Sequence, residues 1–89
     1  MAKVLASIKI FPKDANIDLG PLKTKIQASL PAGSTVQRFE EEPIAFGLVA
    51  LIAHVLLPED VEGKMDQVEE ALRSVDSVSE IQVLRVVRY

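Results

Sequence analysis

The chain has 89 residues, of which 48% are hydrophobic, 26% charged and none cysteine, and it carries a net charge of −3. That length is expected to form one domain over residues 1–89, with one core and little room for a deep, enclosed active site. The lack of cysteine rules out disulfides and thiolate metal sites and fits a cytoplasmic protein, the mild acidity argues against nonspecific phosphate-backbone binding, and no apolar run reaches the roughly 18–20 residues of a membrane span.

Met1-Ala2-Lys3 leads directly into an alternating segment, so no signal peptide is expected. From Lys3 to Phe11, Val4, Ala6, Ile8 and Ile10 share one face and Leu5, Ser7, Lys9 and Phe11 the other, which predicts a strand ended by Pro12. Asp18 is a candidate N-cap and Pro21 is tolerated in a first helical turn. Leu19, Leu22, Ile26 and Leu30 mark the apolar face of that helix, and Pro31-Ala32-Gly33 stops it.

Ser34 to Glu42 predicts a second strand in which Val36 and Arg38 alternate with Gln37 and Phe39, and its polarity suits a sheet edge. After Pro43, the segment from Ile44 to Leu57 is apolar on both faces and reads as a buried central strand. Gly47 within it suggests a bulge or a close backbone approach. Pro58-Glu59-Asp60 reads as a loop. Val61, Met65, Val68, Leu72 and Val75 then give an amphipathic helix, with Glu69 and Arg73 as an i,i+4 pair. Asp76-Ser77 turns the chain into a last strand from Val78 to Val87. The order βαββαβ predicts an α+β ferredoxin-like sandwich: a four-stranded antiparallel sheet, its first and third strands central, with two helices on one face.

The chemistry-bearing residues are few. His54 is the one histidine, so a multi-histidine metal site is excluded, and the residue reads as a structural side chain bonded through a ring nitrogen. Glu40-Glu41-Glu42 could hold an acid/base pair only if buried, and on an edge strand it reads as a solvated or docking charge. There is no phosphate-cradling glycine loop, no G-x-S-x-G and no evident nucleophile beside a base. Phe11, Phe39, Phe46 and Tyr89 do not form the stacking platform that RNA binding on such a sheet requires. Phe46 beside Gly47 reads on residues alone as a core aromatic next to a bend, with a partner anchor as the alternative. A regulatory module of this fold that pairs through its sheet edges, and an RNA-binding one, both remain open.

The run Glu41-Glu42-Pro43-Ile44-Ala45-Phe46-Gly47-Leu48-Val49-Ala50-Leu51 resembles the archaeal translation elongation factor 1-beta family. Chain length, element order, the first strand and the Val- and Arg-rich end fit as well. The run is also similar to the Pro-Ile-Gly-Phe-Gly-Ile type segment of the eukaryotic family members' catalytic domain. The resemblance implies guanine-nucleotide exchange on the GTPase elongation factor 1-alpha, without cofactor, metal or chemistry of its own, by a protein expected to be monomeric when free. It implies partner contacts at Pro43, Phe46, Gly47, Arg88 and Tyr89. Phe46 matches the aromatic that packs against the GTPase. Arg88 stands where the eukaryotic factor has a lysine that disturbs the Mg²⁺ site, and arginine there is a departure. Tyr89 replaces an aliphatic terminus.

Overall fold

The computed structural model describes residues 3–59 and 63–89; Asp60 and Val61, expected in the loop and at the start of the second helix, lie outside the described residues. The elements are β1 (Lys3–Pro12), α1 (Leu19–Ser29), β2 (Thr35–Pro43), β3 (Val49–Pro58), α2 (Lys64–Arg73) and β4 (Val78–Arg88), with a single turn of 3-10 helix at Ala45–Gly47. The strands form one antiparallel sheet in the order β2-β3-β1-β4. This is the expected ferredoxin-like arrangement, with the polar second strand on an edge.

Alternation decides which residues form the core. Ala6, Ile8 and Ile10 of β1 and Leu51, Ala53, Val55 and Leu57 of β3 point to the same side, where Leu22 and Ile26 of α1 and Val68 and Leu72 of α2 meet them. Each large aliphatic side chain fully buried here contributes about 1.5–3 kcal/mol. Both helices therefore cover one face, and the other face is left uncovered by helix. Asp18 caps α1 as expected, its Oδ1 accepting the Gly20 N–H at 3.1 Å. Within α2, Arg73 and Glu69 meet at 3.3 Å.

Three expectations need correction. The run from Ile44 to Leu57 is not one strand, because β3 begins at Val49 and the preceding residues make a tight reversal from β2. Gly47 accordingly sits in a turn and not in a strand. In β2, Val36 pairs with Val55 and Arg38 with His54, so Gln37 is an extra residue. This β-bulge shifts the alternation and puts Val36 and Phe39 on the same, core-facing side, where both pack against the cluster. Strict period two had placed them on opposite faces. β4 carries two similar irregularities, with Leu84 and Ser79 as the extra residues against β1.

Candidate partner-binding site

The reversal between β2 and β3 starts after the last ladder pair, Pro43 with Val49. Ile44 N–H donates to the Leu48 carbonyl at 2.8 Å, and Leu48 N–H donates to the Ala45 carbonyl at 3.3 Å. The two residues inside that second bond, Phe46 and Gly47, have φ of 62° and 76°. Positive φ at both central positions is the pattern of the hairpin turn whose twist suits flanking β-strands. Glycine adopts it freely. For Phe46 it is a disfavoured conformation, costing about 1–2 kcal/mol. The phenyl group gains nothing from the core in return, because Phe46 is 96% exposed. The sequence reading of a core aromatic is thus overturned: the left-handed backbone of the turn carries the ring out into solvent.

Arg88 and Tyr89 lie at the other end of the sheet. Arg88 is opposite Val4, near the pair of Lys3 with Pro58. Its side chain is largely exposed, and its Nε donates to Glu59 Oε2 at 2.9 Å. Glu59, directly after Pro58, thus gives this arginine a contact within the chain. Tyr89 is tied down too. Its N–H donates to the Lys3 carbonyl at 3.0 Å, and its hydroxyl accepts from Gln37 Nε2 at 3.2 Å. Gln37 is the bulged residue of β2, so the two edge strands are linked at this end. The five expected contact residues therefore form two groups, Pro43, Phe46 and Gly47 at one end and Arg88 and Tyr89 at the other. The fold separates them by the length of the strands.

The uncovered face holds a buried polar chain that the sequence did not reveal. Ser7 Oγ lies 2.9 Å from His54 Nδ1, and His54 Nε2 is hydrogen-bonded to Glu40 Oε2. Ser7 and His54 are buried although no helix covers them. A carboxylate only accepts, so the proton on His54 belongs at Nε2 and neutral Nδ1 accepts from the Ser7 hydroxyl. The hydrogen bond from His54 holds the Glu40 carboxyl below its ordinary value; partial desolvation opposes this, and the charge of Arg38 adds to it. The remaining acids of the run are engaged as well. Lys9 meets Glu42 at 2.8 Å and Lys23 meets Glu41 at 3.2 Å. The three carboxylates remain about half exposed, as expected of a solvated edge, and each also meets a basic or imidazole group of the same chain.

A serine beside a histidine invites comparison with a hydrolase, since sequence inspection had found no such pair. The geometry does not support that chemistry. Nucleophile and acid occupy the reverse nitrogens from those of a serine hydrolase, in which the acid holds Nδ1 and the serine faces Nε2. The hydroxyl is also too buried to meet a substrate. Alternation placed Ser7 on the face opposite Ile8, and a small polar residue in a central strand was the one available hint of a buried partner for His54. Glu59 gave no such hint. Among the described residues no group of acids and histidine is arranged to hold a metal ion, and no helix is long and apolar enough to cross a membrane.

What the fold and its two ends define is a small α+β domain with a large apolar side chain exposed at one end and an ion-paired arginine at the other. Comparison with solved structures agrees on the fold. The C-terminal domain of the MgtC protein from Mycobacterium tuberculosis superposes with a TM-score of 0.57 at 12% identity, covering 100% of this chain and 88% of that one. Sequence comparison goes further. Residues 5–88 match the family described as the EF-1 guanine nucleotide exchange domain, and the chain belongs to that family. It is 44% identical over 88 residues to elongation factor 1-beta of Staphylothermus marinus, covering 99% of this chain and 98% of the relative. It is 44% identical to the protein of the same name from Sulfurisphaera tokodaii (99% and 97% covered) and 43% identical to that from Methanothermobacter thermautotrophicus (99% and 98% covered).

Proposed function

We propose that this chain promotes release of GDP from elongation factor 1-alpha during protein synthesis, and so allows GTP to load. The observation that carries the reading is Phe46, a large apolar side chain 96% exposed on a turn whose backbone disfavours it. A residue kept at such a position against its own conformational preference is explained by a contact outside the chain. Family membership supplies the kind of partner.

In this reading the two ends of the sheet do different work. Phe46, with Pro43 and Gly47 shaping the turn, anchors the domain on the GTPase. Arg88, held beside Tyr89, brings a guanidinium toward the bound nucleotide. A GTPase grips its nucleotide through the phosphates and a bridging Mg²⁺. A cation placed among those oxygens weakens the grip without breaking a covalent bond, which suits a chain whose serine and histidine are locked inside its own sheet. Reciprocity follows from linkage: bound nucleotide weakens the factor's binding by the factor by which it is itself weakened.

The test is release of fluorescently labelled GDP from elongation factor 1-alpha with and without this protein. Stimulated release that saturates with added protein supports the reading. No stimulation at saturating protein overturns it.

A further inference from the structure

The bulge of β2 and the buried histidine are parts of one arrangement. Val36 pairs with Val55 and Arg38 with His54, so Gln37 and Arg38 together oppose the single residue His54. The imidazole is held from both sides, at Nδ1 by Ser7 Oγ of β1 at 2.9 Å and at Nε2 by Glu40 of β2. Glu40 in turn meets Arg38 Nη2 at 3.6 Å. From the bulge, Gln37 Nε2 donates to the Tyr89 hydroxyl at 3.2 Å, which links one edge strand to the end of the other. His54, at the middle of this set, is 7% exposed, whereas the side chains of Arg38 and Glu40 are 69% and 50% exposed.

We infer that His54 is a positioning residue: it fixes the bulge of β2 at Gln37 and, through Gln37, the direction of Tyr89. The ladder by itself accepts either Gln37 or Arg38 as the extra residue, because both choices leave Val36 and Phe39 facing the core. What selects Gln37 is the fastening of its neighbour. The buried Nε2–H needs an acceptor, and Glu40 is that acceptor. The carboxylate, so placed, attracts the Arg38 guanidinium. Arg38 then keeps the paired place opposite His54, and Gln37 is left to reach Tyr89. The exposed Arg38–Glu40 pair would not hold this choice alone, since such pairs are weak in water. The hydrogen bonds of the imidazole are sheltered, and breaking one leaves a buried polar group unsatisfied. His54 thus orders a residue at the far edge of the sheet without touching it. The consequence for exchange rests on the docking reading above: a chain end held in one direction presents its side chains to the GTPase in one direction.

Tyr89 is the one tyrosine and the chain has no tryptophan, so time-resolved fluorescence anisotropy reads the motion of that ring alone. The parent is compared with Gln37→Ala, His54→Leu, His54→Gln and Glu40→Ala, and with Val68→Ala as a control in the core on α2. Thermal melts establish that each protein is folded at the temperature of measurement. His54→Leu is expected to raise the mobile fraction of Tyr89 to the level of Gln37→Ala. Glu40→Ala cuts the same link at a half-exposed position and should give the same rise, even where His54→Leu does not fold. His54→Gln, whose amide still donates to Glu40, should stay close to the parent. So should Val68→Ala, despite a lower melting temperature. Tyr89 as ordered in His54→Leu and Glu40→Ala as in the parent overturns the inference. So does a rise in Val68→Ala equal to theirs, because general loosening would then explain all three. In labelled GDP release at saturating factor, His54→Leu should lower the maximal rate about fivefold, the factor that one ordinary hydrogen bond corresponds to, with the half-saturating concentration unchanged. If the unaltered protein gives no stimulation, the docking reading falls, while the anisotropy still decides the part played by His54.

Discussion

Phe46 and Arg88 lie at opposite ends of one sheet: Phe46 just beyond the pairing of Pro43 with Val49, and Arg88 opposite Val4 beside the pairing of Lys3 with Pro58. Two contacts so far apart can be altered one at a time. Affinity and exchange rate should therefore separate when each end is changed.

Phe46→Ala should weaken binding to elongation factor 1-alpha by about 2–4 kcal/mol, the usual cost of truncating an interface anchor. Its melting temperature should stay close to that of the parent, because truncating a core phenylalanine would instead cost about 3–5 kcal/mol of folding stability and this ring is solvent-exposed. Phe46→Gly should bind as poorly as the alanine variant yet fold more stably than it, by about 1 kcal/mol, since glycine relaxes at φ 62°. Titration binding and thermal melts on the three proteins check both parts.

Gly47→Ala should lower stability by about 1 kcal/mol through the backbone alone. The added methyl would meet no atom nearer than Ala15 Cβ at 4.0 Å, so there is no clash, but φ is 76°. Urea unfolding measures the loss. A shift of the hairpin would also appear as weaker GTPase binding, with the maximal release rate unchanged.

Removing Arg88 and Tyr89 should leave the fold intact but cost about 1–2 kcal/mol, the sum of two ordinary hydrogen bonds: Tyr89 N–H to Lys3 and Gln37 to the Tyr89 hydroxyl. Binding should weaken moderately, and GDP release at saturation should slow far more. Arg88→Lys should keep part of the rate and Arg88→Glu should not, because a carboxylate repels phosphate. Stopped-flow release separates the two effects. An unchanged maximal rate in the truncated protein would move the exchange step to the Phe46 end.

Glu40 sets an acid-side pH dependence. Its carboxyl titrates below the ordinary 4.5 in the folded chain, chiefly through the hydrogen bond from His54. A depressed folded value means that the unfolded chain takes up the proton first. The stabilisation is therefore present above about pH 4.5 and is lost as pH falls through the lower folded value. Glu40→Gln should be less stable than the parent at pH 6, and the gap should narrow as pH falls toward 3. Chemical denaturation across that range is the measurement, and a constant gap would count against the linkage.

The elements and their layering were legible because periodicity and stop signals agree for β1, α1, α2 and β4. The two-sided apolar character of β3 likewise reported its central place. Where reading failed, one residue had changed the count. Gln37 breaks the alternation of β2 without any glycine or proline to announce it. The turn at Phe46-Gly47 hid inside an apolar run because its flanks, Ile44 and Leu48, are as hydrophobic as the strand. The site was only partly readable. Sequence marked both ends as unusual through the resemblance, but the distance between them depends on strand register. The pairing of Glu59 with Arg88, like that of Ser7 with His54, joins residues far apart in the chain and follows only from the fold.

The bulges in β4 have a further consequence. This edge strand exposes Val83, Leu84, Val86 and Val87, and a flat edge of that composition would be a template for runaway sheet extension from copy to copy. At Leu84 and Ser79 the ladder loses its regular spacing, so a second straight strand cannot pair along the whole edge. Such an interruption is one of the devices by which an edge strand discourages pairing between copies. Straightening the strand by deleting Leu84 would sacrifice that protection.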